Sequence, residues 1–352
     1  MSATIFDMVT APAMAAYWTE SQSNREPYMG EVLFPARKKP GLSLSWIRGY
    51  RNLPIALKPS AFDAKAEIRD RIGVKKVETE MPFFREGMLI KEKDRQDLLT
   101  LQEGSPYFEM IVQEIFNDYG QLVNGALVQS ERLRMQLLFG MGKINISAAG
   151  VSYVYDFDQS GDYQANNYIE LLTTAKWTDH DTSTPLQDLQ AAMEAIELKH
   201  GTIITRMIMT RATWSHLLLN KSMKMDMNVM QGQNIILTDT MLKQYIASKL
   251  SGVAVALYNK KFKDEAGVEY PFVPDGYVAL LPDGDLGNTW YGTTPEEADL
   301  LGGSDAQVAV VNTGVTLTTY RQVHPVNVNA LVSEIVLPSY ERMEETYVIK
   351  VF

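Results

Sequence analysis

The spacing of apolar positions along this chain changes repeatedly, and each change marks an element. From Asp63 the pattern alternates: Ala64, Ala66 and Ile68 against Asp63, Lys65, Glu67 and Arg69. Residues two apart share one face of a strand. Alternation resumes beyond Gly73 with Val77, Thr79 and Met81 against Glu78 and Glu80, so residues 54–95 predict a long hairpin. After Ser105-Pro106 the spacing becomes three and four, through Phe108, Ile111, Ile115, Tyr119, Leu122, Ala126, Leu133, Leu137 and Leu138. That is the stripe of an amphipathic helix, opened by an N-cap and a proline and stopped by Gly140 and Gly142. At ~1.5 Å per residue it would be about 50 Å long, a spine for the fold. Gly120 and Gly125 lie inside it and predict a bend or a break near its middle.

The period returns to two at Ile144, Ile146, Val151, Tyr153, Tyr155 and Phe157. Residues 158–184 read as a polar connection. Helical spacing then predicts helices over 185–199, 212–219 and 239–248. Strands are expected over 203–209, 252–258, 277–281, 308–311 and 315–319. Near the end, Val332, Ile335 and Leu337, then Tyr347, Ile349 and Val351, alternate again; these are expected to pair with the strands at 144–157. Residues 1–50 keep no period and carry Pro12, Pro27, Pro35 and Pro40, yet they hold Ile5, Phe6, Tyr17, Trp18, Leu33, Phe34 and Trp46. Disordered tails are poor in aromatics, so this stretch reads as an extended arm that buries its anchors on a surface. The fold class is α+β, without internal repeats.

Composition narrows the function. The 352 residues carry 33 Lys+Arg and 43 Asp+Glu, a net charge of −10, and no cysteine. An acidic chain does not hold nucleic acid by phosphate neutralisation. Without cysteine there are no disulfides, thiolate metal sites or thiol nucleophiles. No run of 18 apolar residues and no export signal is present. Charge is concentrated locally instead: residues 61–80 contain ten charged side chains, five of each sign. A ribbon so charged could seek partners beyond its own subunit or stand simply solvated; the pattern alone leaves both open.

Motifs for catalysis fail in turn. Nucleophile elbow, phosphate loop and zinc-helix signatures are missing. Gly140-Met141-Gly142 follows a helix and lacks the third glycine of a dinucleotide loop. Asp156, Asp158, Ser160 and Gly161 begin like a calcium loop, but its twelfth position is Asn167 rather than a bidentate Glu. His180, His200, His216 and His324 show no ligand spacing, and Asp179-His180-Asp181 reads as a solvated loop. Methionines crowd 207–241 (Met207, Met209, Met223, Met225, Met227, Met230, Met241), a soft core with a contact surface. The reading is therefore a protein that is not an enzyme and has no cofactor or metal.

The order of parts (arm, charged hairpin, spine helix, mixed segment, returning strands) resembles the lambda-type major capsid protein E family of tailed bacteriophages, with the HK-ninety-seven-like fold. Local runs are similar too: Leu33-Phe34-Pro35, Arg71-Ile72-Gly73, Glu80-Met81-Pro82-Phe83-Phe84-Arg85-Glu86, His324-Pro325-Val326 and Ile335-Val336-Leu337-Pro338. The resemblance implies an N-terminal arm over 1–50, an extended loop over 51–98 that overlaps the adjacent subunit, and a peripheral domain from 99–160 and 322–352. It implies an axial domain over 161–321. Its function would be the major capsid protein of a tailed double-stranded DNA phage, self-assembling through hexamers and pentamers into an icosahedral shell that expands during DNA packaging. The shell would be assembled in the bacterial host cytoplasm and become the virion capsid, enclosing DNA without sequence-specific binding and without a membrane. An acidic subunit would also keep the packaged genome from adhering to the wall. A separate scaffolding protein and a portal are expected as partners, because the arm begins almost at Met1 where some relatives carry a scaffolding segment; removal of such a segment is the other possibility, and a decoration protein stays open. No Lys–Asn cross-link is expected, since Lys58, Lys65, Lys75 and Lys76 show no distinguishing pattern. An encapsulin-like nanocompartment shell shares the fold and is the alternative.

The candidate contact residues are Asp63, Lys65, Glu67, Arg69, Asp70, Arg71, Lys75, Lys76, Glu78 and Glu80. Exposed ion pairs contribute only ~0–1 kcal/mol each, but repetition across a shell multiplies them, and a slipped neighbour would face like charges. Charge reversal at Arg69 or Arg71 should impair shell assembly while leaving the subunit folded. Unchanged particle yield by sedimentation, with an unchanged melting curve, would contradict this.

Overall fold

The computed structural model describes residues 9–22, 25–48, 75–90, 106–148, 151–228, 236–264, 266–302, 306–322, 324 and 327–352. The chain divides into two compact units, one of residues 1–44, 78–134 and 288–339, the other of 45–77, 135–287 and 340–352.

The first unit is organised by one strand. Asn327–Ser339 is 13 residues long and almost wholly buried. Along 327–334 it pairs antiparallel with Val315–Gln322, along 328–335 with Phe83–Ile90, and along 336–339 with Asn288–Tyr291. The short strand Ala36–Lys38 adds a parallel edge beside Thr289–Tyr291, and Ala306–Val311 the opposite one. A core of Met14, Trp18, Tyr119, Leu122, Val123 and Leu127 packs with Val315, Leu317, Val328, Ala330 and Val332. The helix stripe foreseen in the sequence thus meets the alternating face of the sheet.

The second unit holds a mixed five-stranded sheet. Tyr277–Pro282 lies at its centre, antiparallel to Ile204–Met209 on one side and to Tyr347–Lys350 on the other. Ala254–Leu257 and Tyr168–Glu170 add parallel edges. Its core includes Leu189, Ile196, Met207, Met209, Trp214, Leu242 and Ile246, from helices Pro185–His200, Arg211–Leu219 and Asp239–Lys249 and from the sheet. Buried Trp177 and Trp214 each donate an indole N–H to a carboxylate, Asp188 at 2.9 Å and Asp239 at 3.0 Å, so neither ring leaves a polar atom unanswered.

Several expectations need correction. The first 50 residues are not without period: Ala11–Ser21 is a helix, capped by the Thr10 hydroxyl, which accepts from Ala13 N at 3.2 Å. Pro12 falls in the first turn, where a missing N–H costs nothing, so this proline starts a helix instead of breaking one. Trp18, Leu33, Phe34 and Trp46 are buried as anchors; Ile5 and Phe6 lie outside the described residues. The spine helix runs unbroken from Pro106 to Phe139. Glycine costs ~1 kcal/mol within a helix, which burial of Tyr119, Leu122, Val123 and Leu127 offsets several times over. The predicted connection at 158–184 contains the helix Asp162–Asn166 and the strand Tyr168–Glu170.

Strand partners differ most. Lys143–Ala148 and Val151–Asp156 pair only with each other among the described residues, not with the C-terminal strands. Phe83–Ile90, read as part of a projecting hairpin, runs inside the six-stranded sheet. Lys75–Glu80 pairs with Ser43–Arg48; the rest of the hairpin lies outside the described residues. Partner choice is a long-range decision, and strand alternation does not encode it.

The stop of the spine helix is specific. Gly142 has φ +76°, and a Cβ there would meet the Met343 sulfur at 3.0 Å. Gly142→Ala should therefore lower stability by more than the ~1–2 kcal/mol of the backbone conformation alone, visible as a drop in urea midpoint with unchanged slope.

Candidate functional site

Of the charged positions singled out in the sequence, Asp63, Lys65, Glu67, Arg69, Asp70 and Arg71 lie outside the described residues. Lys75, Lys76 and Glu78 fall in the strand Lys75–Glu80, which Glu80 ends in an exposed position. Further along, Arg85 pairs with the buried carboxylate of Glu296, whose other oxygen accepts from Ser333 at 2.9 Å.

The structure also assembles a polar node that the sequence reading missed. Glu131 and Arg134 stand three residues apart and so share one side of the spine helix; they are 0% and 2% exposed. Arg134 Nη1 reaches Glu131 Oε2 at 3.4 Å, Nε donates to Thr289 Oγ1 at 2.8 Å, and Nη2 donates to the Tyr291 hydroxyl at 3.3 Å. The other oxygen of Glu131 accepts the backbone N–H of Gly30 at 3.0 Å. Thr289 passes its own proton to the Phe34 carbonyl at 2.7 Å. One guanidinium thereby joins the N-terminal segment, the spine helix and the strand Asn288–Tyr291. Gly30 is required by proximity: a Cβ would strike the Glu131 carboxylate and come within 2.9 Å of Arg134 Cβ.

The network ends at Glu334. Its Oε2 accepts from Ser130 Oγ at 3.2 Å, and Ser130 in turn meets the Tyr291 hydroxyl at 3.1 Å. Burial pushes the Glu334 carboxyl up to about 8, against the opposing pull of the Ser130 hydrogen bond and the Arg134 charge. Burial likewise raises Tyr291, while Arg134 pulls it down. The signal available in the sequence was the pair Glu131 and Arg134 with Leu127 and Leu138 one turn to either side, charges set into an apolar stripe. Glu334, on a strand rich in Val, Leu and Ile, carried no such mark.

The groups weighed for metal or proton chemistry have structural roles. The Asp158 carboxylate takes the N–H groups of Tyr163 at 3.0 Å and Gln164 at 2.9 Å, at the start of the helix Asp162–Asn166. Among the described residues no cluster of three or more His, Asp or Glu side chains could hold a metal ion. His180 is half-buried and hydrogen-bonds His216, Nε2 to Nδ1 at 2.9 Å; the loop is more enclosed than its polar neighbours suggested. Met207, Met209 and Met223 are core, while Met225 and Met241 are exposed.

The buried polar groups form a framework that fixes segments in place. A family model described as phage major capsid protein E matches residues 10–351. The chain belongs to that family. No curated protein matches it. Two crystal structures share its fold: a protein assigned as the capsid protein of a prophage in E. coli CFT073, 15% identical, with a TM-score of 0.60 over 98% of this chain and 99% of that one, and a phage-related protein from Bordetella bronchiseptica RB50, 13% identical, with a TM-score of 0.57 over 97% of both chains. The fold is the HK-ninety-seven-like capsid fold. The protein is a major capsid protein of a tailed phage, a structural subunit and not an enzyme, and its copies assemble into the shell of the virion. Family membership favours this over the nanocompartment alternative.

An acid whose folded pKa lies above its unfolded value contributes fully where both states are protonated, and loses that contribution as pH climbs to the folded value. Glu334 should therefore cost the subunit about 1.4 kcal/mol per pH unit between its ordinary value of 4.5 and about 8. Melting temperatures of the unassembled subunit should fall across that window, and Glu334→Gln should flatten the slope. Parallel wild-type and variant curves would contradict the assignment.

Proposed function

We propose that this capsid protein closes an icosahedral shell through hexamers and pentamers, using residues 51–98 as an extended loop laid over the adjacent copy. The part that reaches the neighbour ends before Phe83, where the chain enters its own sheet. Residues 1–50 serve as the arm, 99–160 with 322–352 as the peripheral domain, and 161–321 as the axial domain. The observation that carries this reading is the family match along residues 10–351, which includes most of the arm, the whole of the loop's charged run and both returning strands.

The ten charged residues between Asp63 and Glu80 set the register of the overlap. Each pair contributes little alone, which lets a misplaced subunit leave before closure. A net charge of −10 keeps the packaged DNA free of the wall, because binding to phosphates requires clustered cations. A separate scaffolding protein and a portal complete the assembly, and a decoration protein would add to the finished shell.

Electron microscopy of particles from phage-infected cells and from cells producing the chain with its scaffold tests the reading. Closed shells with six- and five-fold capsomers, holding nuclease-protected DNA in the infected cells, are expected. Open sheets, or shells filled with a protein cargo and no DNA, would overturn it.

A further inference from the structure

Phe83–Ile90 and Asn327–Ser339 pair with Phe84 opposite Glu334. With Leu122, Gly125, Ala126 and Gln129 of the spine helix they enclose a cavity of about 170 Å³. Pockets for drug-sized molecules run ~300–1,000 Å³; this one suits a single long side chain. Glu334 lies in its wall, 1% exposed. Its Oε2 is held by Ser130, but its Oε1 has no hydrogen-bond partner among the described residues. Buried polar atoms are nearly always answered, so this oxygen calls for a donor.

Gly125 supplies an independent observation. It is exposed, lies at the same cavity, and sits mid-helix, where glycine is among the poorest residues. A Cβ at Gly125 would meet nothing within 4 Å, and its φ is not positive. Neither its own backbone nor its own packing requires a glycine there. Close approach by another chain would give a glycine a use there.

We propose that this cavity is a socket for a basic side chain from the charged segment 61–80 of a second copy of the chain, seated against Glu334. The inference rests on the shell reading above and names the surface where that segment lands. Charge selects the occupant. Segment 61–80 offers Lys65, Arg69, Arg71, Lys75 and Lys76, while the socket presents Glu334 with Glu86 beside it. The cations already near are engaged: Arg85 by Glu296, and Arg134 by Glu131, Thr289 and Tyr291.

Seating a cation displaces the proton that burial keeps on Glu334, so shell formation should release protons and strengthen as pH rises toward 8. The charged and titratable groups facing that carboxyl are Arg134 on the helix, Arg85 and Glu86 on the neighbouring strand, and Tyr291 beyond Ser130.

The test uses the chain's freedom from cysteine. Full-length Gly125→Cys is assembled together with a second variant carrying cysteine at one of the five basic positions, each in turn, and the shells are oxidised and run on a non-reducing gel. A dimer band for at least one pairing, missing when either variant is assembled alone, is expected. Glu334→Gln should reduce shell yield at least tenfold and abolish its rise with pH, while its subunit melts no lower than wild type. Gly125→Leu, on an open helix face, should block assembly of a subunit that still melts cooperatively. Cysteine-variant shells that form at wild-type yield without any of the five cross-links, or Gly125→Leu shells at wild-type yield, would overturn the socket and leave the shell reading standing. A cross-link found only within one chain, in a double variant, would overturn it too. Failure of the wild-type chain to form shells under the same conditions would count against both.

Discussion

A buried guanidinium must be answered by the protein, and Arg134 arranges the first unit around that demand. Arginine stays charged in proteins, and burying an ion costs several kcal/mol unless its donors are met. Here they are met by Glu131 from the same helix and by Thr289 and Tyr291 from a strand more than 150 residues away. Glu131 and Thr289 then hold Gly30 and Phe34. Pulling away the N-terminal segment, the helix or the strand would leave a charge or its partner unsatisfied. Apolar packing of Trp18, Tyr119 and Leu127 gives this unit its cohesion; the node gives it a single arrangement.

The second unit relies on a different economy. Its sheet is covered by three helices over a core of aliphatic, methionine and tryptophan side chains, with polar atoms answered locally by Asp188 and Asp239. For a shell subunit this is consistent: its output is a shape and a set of surfaces, repeated in every copy. Many weak, reversible contacts suit closure better than a few strong ones. A chain without cysteine also keeps the same covalent structure in a reducing cell and outside it.

Legibility in the sequence followed the range of the interaction. The spine helix was readable to within a residue at each end, because its stripe, proline and closing glycines are local features. The helices Pro185–His200, Arg211–Leu219 and Asp239–Lys249 and most strands were readable for the same reason. The helix Ala11–Ser21 was not legible because its apolar positions keep no clear period, although Pro12 in a first turn marks a start. Glu80 stands exposed, while Glu334 was invisible: one acidic residue on a strand does not announce that both faces will be covered.

By itself, then, the sequence determined the elements, their order, the excluded chemistries and the family likeness, since periodicity, capping and composition act over a few residues or over the chain as a whole. Only the tertiary structure decided which strands are neighbours, that Phe83–Ile90 joins the sheet beside Asn327–Ser339, that Tyr347–Lys350 lies between Tyr277–Pro282 and Tyr168–Glu170, and that Glu131, Arg134 and Glu334 share one dry site. Any strand with an apolar face can pair with many others. The choice among them is made by how volumes fill and by which buried charges and hydrogen bonds are answered, and those are properties of segments far apart in the chain.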